Sequence, residues 1–183
     1  MTRIIAGTHR GRRLAVPAGT ATRPTADRAR EGMFSSLLSL VDLDGASFLD
    51  LYAGSGALGL EALSRGAARA VLVDSDERAV AALRANSASL GLPAEVVPLP
   101  VERFLAGGSG SYDSAPFDVV VLDPPYDLDV DPVLEALVPW LAEDGIVAVE
   151  RRSRGPAPTW PQGLEGVRSR RYGEATLWYG SRS

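Results

Sequence analysis

The chain contains no cysteine, no lysine and only one histidine, His9. Without cysteine there can be no disulfide, thiolate nucleophile or Cys-based zinc site, and one imidazole cannot build a multi-histidine metal centre. Long hydrophobic runs are missing too, since none approaches the roughly 18–20 apolar residues that a membrane helix needs. The N-terminus, Met1-Thr2-Arg3-Ile4-Ile5, has no extended apolar stretch ending in a small-residue cleavage site, so cytoplasmic residence is the default expectation. Chemistry is left to carboxylates, hydroxyls, backbone groups or an organic cofactor. All 19 basic residues being arginine reflects composition bias, so the choice of guanidinium carries no recognition message of its own.

At 183 residues, 45% hydrophobic and 23% charged, the chain suits one well-cored domain with an N-terminal appendage. Its net charge of −4 conceals a strong asymmetry. Residues 1–30 hold seven arginines (Arg3, Arg10, Arg12, Arg13, Arg23, Arg28, Arg30) against Asp27 alone, a local +6 that leaves −10 for the remainder. That basic head is a candidate phosphate-binding element, its competitor being a merely solvated terminus.

Beyond the head, short apolar runs alternate with segments of helical periodicity, the pattern of a doubly wound α/β domain with a parallel sheet. Thr25 is placed to cap a helix with Met33, Phe34, Leu37, Leu38 and Val41 on one side. Strands are expected at 48–51, 71–74, 95–99, 117–122 and 145–149, with 117–122 the most apolar and hence central. Helices are expected through Leu58 to Leu63, from Val80 to a stop at Gly91, near Phe104, and through Val133, Leu134, Leu137 and Leu141. A Gly/Ser loop spans 107–111, and the runs 167–172 and 175–179, joined at Gly173-Glu174, read as a closing hairpin.

Two motifs carry chemistry. The first strand runs into Asp50-Leu51-Tyr52-Ala53-Gly54-Ser55-Gly56-Ala57-Leu58-Gly59, with Gly54, Gly56 and Gly59 at the spacing of a strand-to-helix nucleotide loop. Asp74, at the end of the second strand, is placed to accept hydrogen bonds from ribose hydroxyls. A dinucleotide pyrophosphate prefers anion-friendly surroundings, whereas a carboxylate at Asp50 welcomes the amino group and sulfonium of S-adenosylmethionine. A plainer role for Asp50 is to cap the loop's own N–H groups. The second motif, Asp123-Pro124-Pro125-Tyr126, closes the central strand at the sheet end where ligands bind. An exocyclic base amine is a poor nucleophile, and Asp123 with a proline carbonyl would accept its two N–H bonds, while Tyr126 stacks on the base. By itself the motif indicates amine methylation without naming base or polymer, and Pro-Pro is also ordinary loop punctuation.

Three stretches together resemble the RsmD family of 16S ribosomal RNA guanine-N2 methyltransferases: the head, with Arg3-Ile4-Ile5-Ala6-Gly7, Arg10-Gly11-Arg12-Arg13-Leu14 and Arg23-Pro24-Thr25 to Asp27-Arg28; the loop from Asp50 to Ala62; and Asp123 to Tyr126. The resemblance covers essentially the whole chain. It implies a class I S-adenosylmethionine-dependent methyltransferase fold: a Rossmann-like, mostly parallel seven-stranded sheet with a reversed last strand, residues 23–183, preceded by an RNA-binding β-hairpin extension, residues 1–22. The implied RNA contacts are Arg3, His9, Arg10, Arg12, Arg13, Arg23 and Arg28. Asp50, Gly54 and Gly56 would meet the methionine end of the cofactor and Asp74 its ribose, the set extending to Thr25, Tyr52, Ser55 and Ser75. Many relatives hold the adenine amine with a polar residue after the third strand; here Leu99-Pro100-Val101-Glu102 occupies that stretch, so Val101, Glu102 or backbone groups would take the role. The implied substrate is one 16S guanine in the assembled small subunit, methylated by a monomer that needs no metal and releases S-adenosylhomocysteine.

Other readings share parts of this pattern. A DNA adenine-N6 methyltransferase uses the same Asp-Pro-Pro-Tyr, but this short chain has no obvious target-recognition domain. A non-catalytic RNA-binding module would need the basic head alone, and a nicotinamide-dependent oxidoreductase the glycine loop alone.

Overall fold

The computed structural model describes residues 2–17, 24–111 and 115–183, the side chains of 24–26 and 111 excepted. Arg23 and the Thr25 side chain therefore lie outside the described residues.

Two short strands, β1 (Thr2–Arg3) and β2 (Arg13–Leu14), pair antiparallel as the expected hairpin. The helix α1 (Pro24–Leu37) follows. It begins at Pro24, so the Thr25 backbone falls inside its first turn rather than before it, and it ends before Leu38, which is exposed. Then come β3 (Ser47–Leu51), α2 (Ala57–Ser64), β4 (Arg69–Val73), α3 (Glu77–Leu90), β5 (Ala94–Val97), α4 (Val101–Ala106), β6 (Phe117–Leu122), α5 (Asp131–Leu137), β7 (Leu141–Arg152), β8 (Leu164–Tyr172) and β9 (Ala175–Arg182). The caps behave as the sequence chemistry requires. Asp76 accepts the Arg78 and Ala79 N–H groups to start α3, and Gly91 ends it at φ 65. Leu141, expected on a helix, opens β7 instead, because Pro139 in the short turn after Leu137 stops α5.

The main sheet runs β5-β4-β3-β6-β7-β9-β8, parallel through β7, with β9 antiparallel to both neighbours. Seven strands with a reversed last strand, plus the small hairpin, is the architecture expected from the sequence. Side-chain alternation divides the core between the two sheet faces. Phe48, Val119, Val121 and Ala148 join Met33, Phe34 and Leu37 of α1 and Leu60 of α2 on one face. Leu49, Leu51, Val120, Leu122 and Val149 join Phe104 and Leu134 on the other. Ile4 and Leu14 of the hairpin are buried in the first of these layers, so the head is continuous with the domain core.

Candidate active site

At β3 the sheet order reverses, β4 lying on one side and β6 on the other. Crevices at such switch points, beyond the carboxyl ends of parallel strands, are where open α/β sheets hold ligands. Asp50, Asp74, Asp123 and Glu150 stand within two residues of the ends of β3, β4, β6 and β7 respectively.

The glycine loop forms the first wall. Gly54 has φ 57 and open space where a Cβ would stand, whereas Gly56 has φ 79 and a Cβ there would meet Leu83 of the core at 2.7 Å, so both allow the tight turn but only Gly54 leaves open space. A Cβ on Gly59 would meet Leu72 at 2.0 Å, so this third glycine lets α2 sit close on the sheet. Asp50 is buried; its Oδ2 accepts the Gly59 N–H at 2.9 Å, while Oδ1 has no partner among the described residues. Burial raises its pKa to about 8, against the lowering effect of the Gly59 bond and with help from Asp123 and Asp74. The capping role thus holds for one oxygen. The other is a buried acceptor facing cost unless a donor or cation arrives.

Asp74 is engaged on both oxygens, accepting the Gly54 N–H at 2.8 Å and the Asp76 N–H at 2.9 Å. It ties the glycine loop to β4, and each oxygen retains a lone pair for a further donor. Ser75 is exposed beside it and Ser55 is partly exposed on the loop. Tyr52, held at φ 63, donates its hydroxyl to Glu102 Oε1 at 3.1 Å, and burial followed by the Glu102 charge raises its pKa. Val101 is buried at the start of α4. Tyr52 and Glu102 are thus joined, with Val101 buried beside Glu102 at the start of α4.

The second wall is Asp123 to Tyr126. Asp123 meets solvent at the crevice mouth, yet the walls around it withdraw enough water to raise its pKa to about 6. Glu150, which the strand prediction stopped just short of, is raised to about 7 by burial and then by the Asp123 charge. The Tyr126 hydroxyl donates to Glu150 at a long 3.5 Å, and the Arg152 guanidinium lies 4.8 Å from the Tyr126 ring centre. Arg151 is all but buried, and it fixes the motif by donating to the carbonyls of Pro125 (3.3 Å), Tyr126 (3.0 Å) and Leu128 (2.8 Å). Pro125 also accepts the Leu128 N–H, whereas no described residue donates to the Pro124 carbonyl. Of the two prolines, Pro124 keeps its acceptor available. Sequence reasoning missed Glu150 and Arg151; their position at the carboxyl end of a parallel strand was the available signal.

The head is locked to the domain by polar contacts. Glu61, fully buried on α2, accepts the Ile5 and Ala6 N–H groups at 2.7 and 2.9 Å and the Arg65 guanidinium at 2.7 Å. Asn86 of α3 pairs with both backbone groups of Ala15 and donates to the Ser55 carbonyl at 2.8 Å, so one side chain joins head to glycine loop. His9 spends its ring within the fold, Nε2 lying 3.0 Å from the Leu90 carbonyl and Nδ1 2.8 Å from the Thr8 hydroxyl. Arg3, Arg10, Arg12, Arg13 and Arg28 are exposed; of these Arg12 gives one N–H to Ser89. Arg30 is buried against Asp27 and the Arg3 carbonyl. Among the described residues no cluster of His, Asp or Glu has the makings of a metal site, and no helix is long and apolar enough to cross a membrane.

Comparison with known proteins gives a consistent set of relatives. The family model "Conserved hypothetical protein 95" matches residues 2–181. Ribosomal RNA small subunit methyltransferase D of Escherichia coli K12 is 40% identical over 163 residues, 87% of this chain and 79% of that one. YlbH of Bacillus subtilis is 36% identical, covering 93% and 94% of the two chains. Among solved structures, the Escherichia coli yhhF protein superposes with a TM-score of 0.85 at 34% identity over 100% of this chain and 98% of its own, and a Thermus thermophilus protein, TTHA0928, with 0.82 at 35% identity over 98% of each.

Proposed function

The chain belongs to the RsmD family, and from that premise we propose that it transfers the methyl group of S-adenosylmethionine to the N2 amine of one guanine in 16S ribosomal RNA, with the assembled small subunit as substrate. The cofactor reading rests on the fit of the first wall. The unpartnered Oδ1 of Asp50 suits the ammonium of the methionine end, the open backbone at Gly54 admits its carboxylate beside the tight turn that Gly56 allows, and Asp74 keeps lone pairs for ribose hydroxyls. When bound, S-adenosylmethionine supplies an electrophilic methyl on a sulfonium centre.

The observation that carries the substrate reading is the acceptor set at the mouth: the Asp123 carboxylate, the Pro124 carbonyl and the neighbouring Glu150 carboxylate, with Tyr126 exposed above them. Guanine offers N–H donors at N1 and N2 together, which suits a mouth where carboxylates and a free carbonyl stand side by side. Adenine has an acceptor at N1 where guanine has N1–H, and that edge would face carboxylate repulsion. Asp123 and Pro124 would hold the two amine hydrogens, turn the nitrogen lone pair toward the crevice and stabilise the positive charge that develops there. A carboxylate of the Asp123–Glu150 pair then takes the proton the amine releases. Tyr126 would stack on the extruded base, and the head arginines would hold flanking phosphates.

Labelled methyl transfer into undermethylated small subunits, followed by nucleoside analysis, tests the assignment. N2-methylguanosine is expected; label in N6-methyladenosine, or transfer into duplex DNA alone, overturns it.

A further inference from the structure

Positive charge is not confined to the head. Residues 151–172 hold six arginines against Glu165, while the intervening 31–150 hold five arginines against 20 acids. The acidic body is thus flanked in sequence by two basic ends, and the fold brings them to the same side of the sheet. Ile4 and Leu14 of the head and Tyr172 and Leu177 of the closing hairpin pack into the same layer as α1. Arg30 of α1 donates to the Arg3 carbonyl on one flank, and on the other Arg168 of β8 donates to the Ser36 carbonyl and Ser39 hydroxyl. The helix, with Arg28 exposed near its start, lies between the two basic ends.

The second end also adjoins the target site. Arg151, which holds the Tyr126 carbonyl, pairs across the sheet with Thr176, and Thr176 with Arg171. Two strand spacings put the Arg171 backbone roughly 10 Å from that of Arg151. Arg170 and Arg171 are exposed on the outermost strand and Arg154 in the turn after β7. Arg170 and Arg171 spend a single N–H each on nearby carbonyls, and no carboxylate pairs with any of the three among the described residues. Charge on an edge strand discourages pairing with other sheets, but either sign serves that purpose. Choosing cations here, in a chain rich in acids, calls for an anionic partner.

We infer that Arg154, Arg170 and Arg171 form a second RNA-phosphate-binding edge, Arg170 on the α1 face of the outermost strand and Arg171 on the face it shares with Arg151, so that the strand carrying the target base is held on the β8 side of Tyr126 as well as on the head side. This rests on the ribosomal RNA reading above and adds to it where the substrate is gripped. The test is binding of the full chain to naked 16S ribosomal RNA and to assembled small subunits across a salt series. The triple variant Arg154→Gln/Arg170→Gln/Arg171→Gln should bind naked RNA on the order of tenfold more weakly, with a log-log salt slope shallower by about two. Its melting temperature and S-adenosylmethionine affinity should match the wild type, and the Arg→Lys triple variant should retain wild-type RNA binding. Unchanged affinity and slope in the Gln variant, or equal weakening in the Lys variant, overturns the surface. Loss confined to assembled subunits overturns it in favour of a ribosomal-protein contact. A wild-type chain that transfers no methyl to ribosomal RNA fails the functional reading itself, whereas wild-type transfer beside an unaffected triple variant fails this surface alone.

Discussion

Asp50 illustrates how a single buried carboxyl links stability to ligand binding. Its folded pKa of about 8 lies above the ordinary carboxylate value, so ionisation opposes folding. The cost is absent below about pH 4 and grows as pH rises toward 8. The cofactor-free protein should therefore lose melting temperature between pH 5 and 8, and Asp50→Asn should flatten that decline while weakening S-adenosylmethionine binding at least about tenfold, the scale of one charge-assisted hydrogen bond. A calorimetric pH series on both proteins decides it; a variant with the wild-type slope would remove Asp50 as the source. Asp123 belongs to the other half of the site. Asp123→Ala should spare cofactor affinity and lower turnover at least about a hundredfold, as loss of a transition-state contact does. Because Asp123 and Glu150 are raised to about 6 and 7, turnover should fall as pH drops below neutrality and both become protonated. In Glu150→Gln the like charge beside Asp123 is gone, so the break should move to lower pH. A pH-rate profile that does not shift would separate Glu150 from Asp123.

At the scale of elements, the strands legible in the sequence include the buried β3, β4 and β6 but also the half-exposed β5 and the largely exposed β8, the latter through the turn at Gly173-Glu174. Phe117–Leu122 is an unbroken β-prone run with its motif attached, and both its ends agree with the expected ones. β7 was only half legible, because Leu141 to Asp144 lacks that apolar continuity and Glu150 to Arg152 is polar; the strand extends on pairing with β9 as far as Arg152. That polar extension contains the part of the site that sequence reasoning missed. Arg151 cannot be recognised as a clamp without knowing that β7 lies beside β6. Its replacement by Met would leave the Tyr126 and Leu128 carbonyls without this donor and Pro125 with the Leu128 N–H alone, and should cost about 3 kcal/mol of stability, the scale of breaking a buried charged contact. Turnover should fall more than cofactor affinity, which kinetics at saturating cofactor will read; equal losses in both would make Arg151 a general fold element. Docking of the head likewise depends on a long-range contact invisible in sequence. Glu61 serves Ile5 and Ala6, 56 and 55 residues away. Glu61→Gln swaps one acceptor oxygen for an amide donor and should free the head for limited proteolysis near its turn under conditions that leave the wild type intact.

Across the whole molecule, charge is divided by task. Asp50, Asp74, Asp123 and Glu150 gather at the crevice, where a cationic cofactor and an amine developing positive charge are both favoured, while most arginines of the two basic ends, Arg30 and Arg151 excepted, face outward. A net charge of −4 would repel RNA from a uniformly charged surface, so association depends on those ends being presented together. Salt separates the two tasks. Phosphate contacts release counterions and weaken steeply with ionic strength, whereas Asp50 and its neighbours are shielded from the bulk and screened far less. Raising salt from about 50 to about 200 mM should lift KM for ribosomal RNA by at least about tenfold, change KM for S-adenosylmethionine by less than about twofold, and leave kcat at saturation unchanged. Steady-state kinetics with each substrate varied in turn will show whether this holds. A fall in kcat with salt would mean that the arginines act on the methyl-transfer step as well as on substrate capture, and that the flanking strand must be held under load for Tyr126 and Asp123 to keep the base in line.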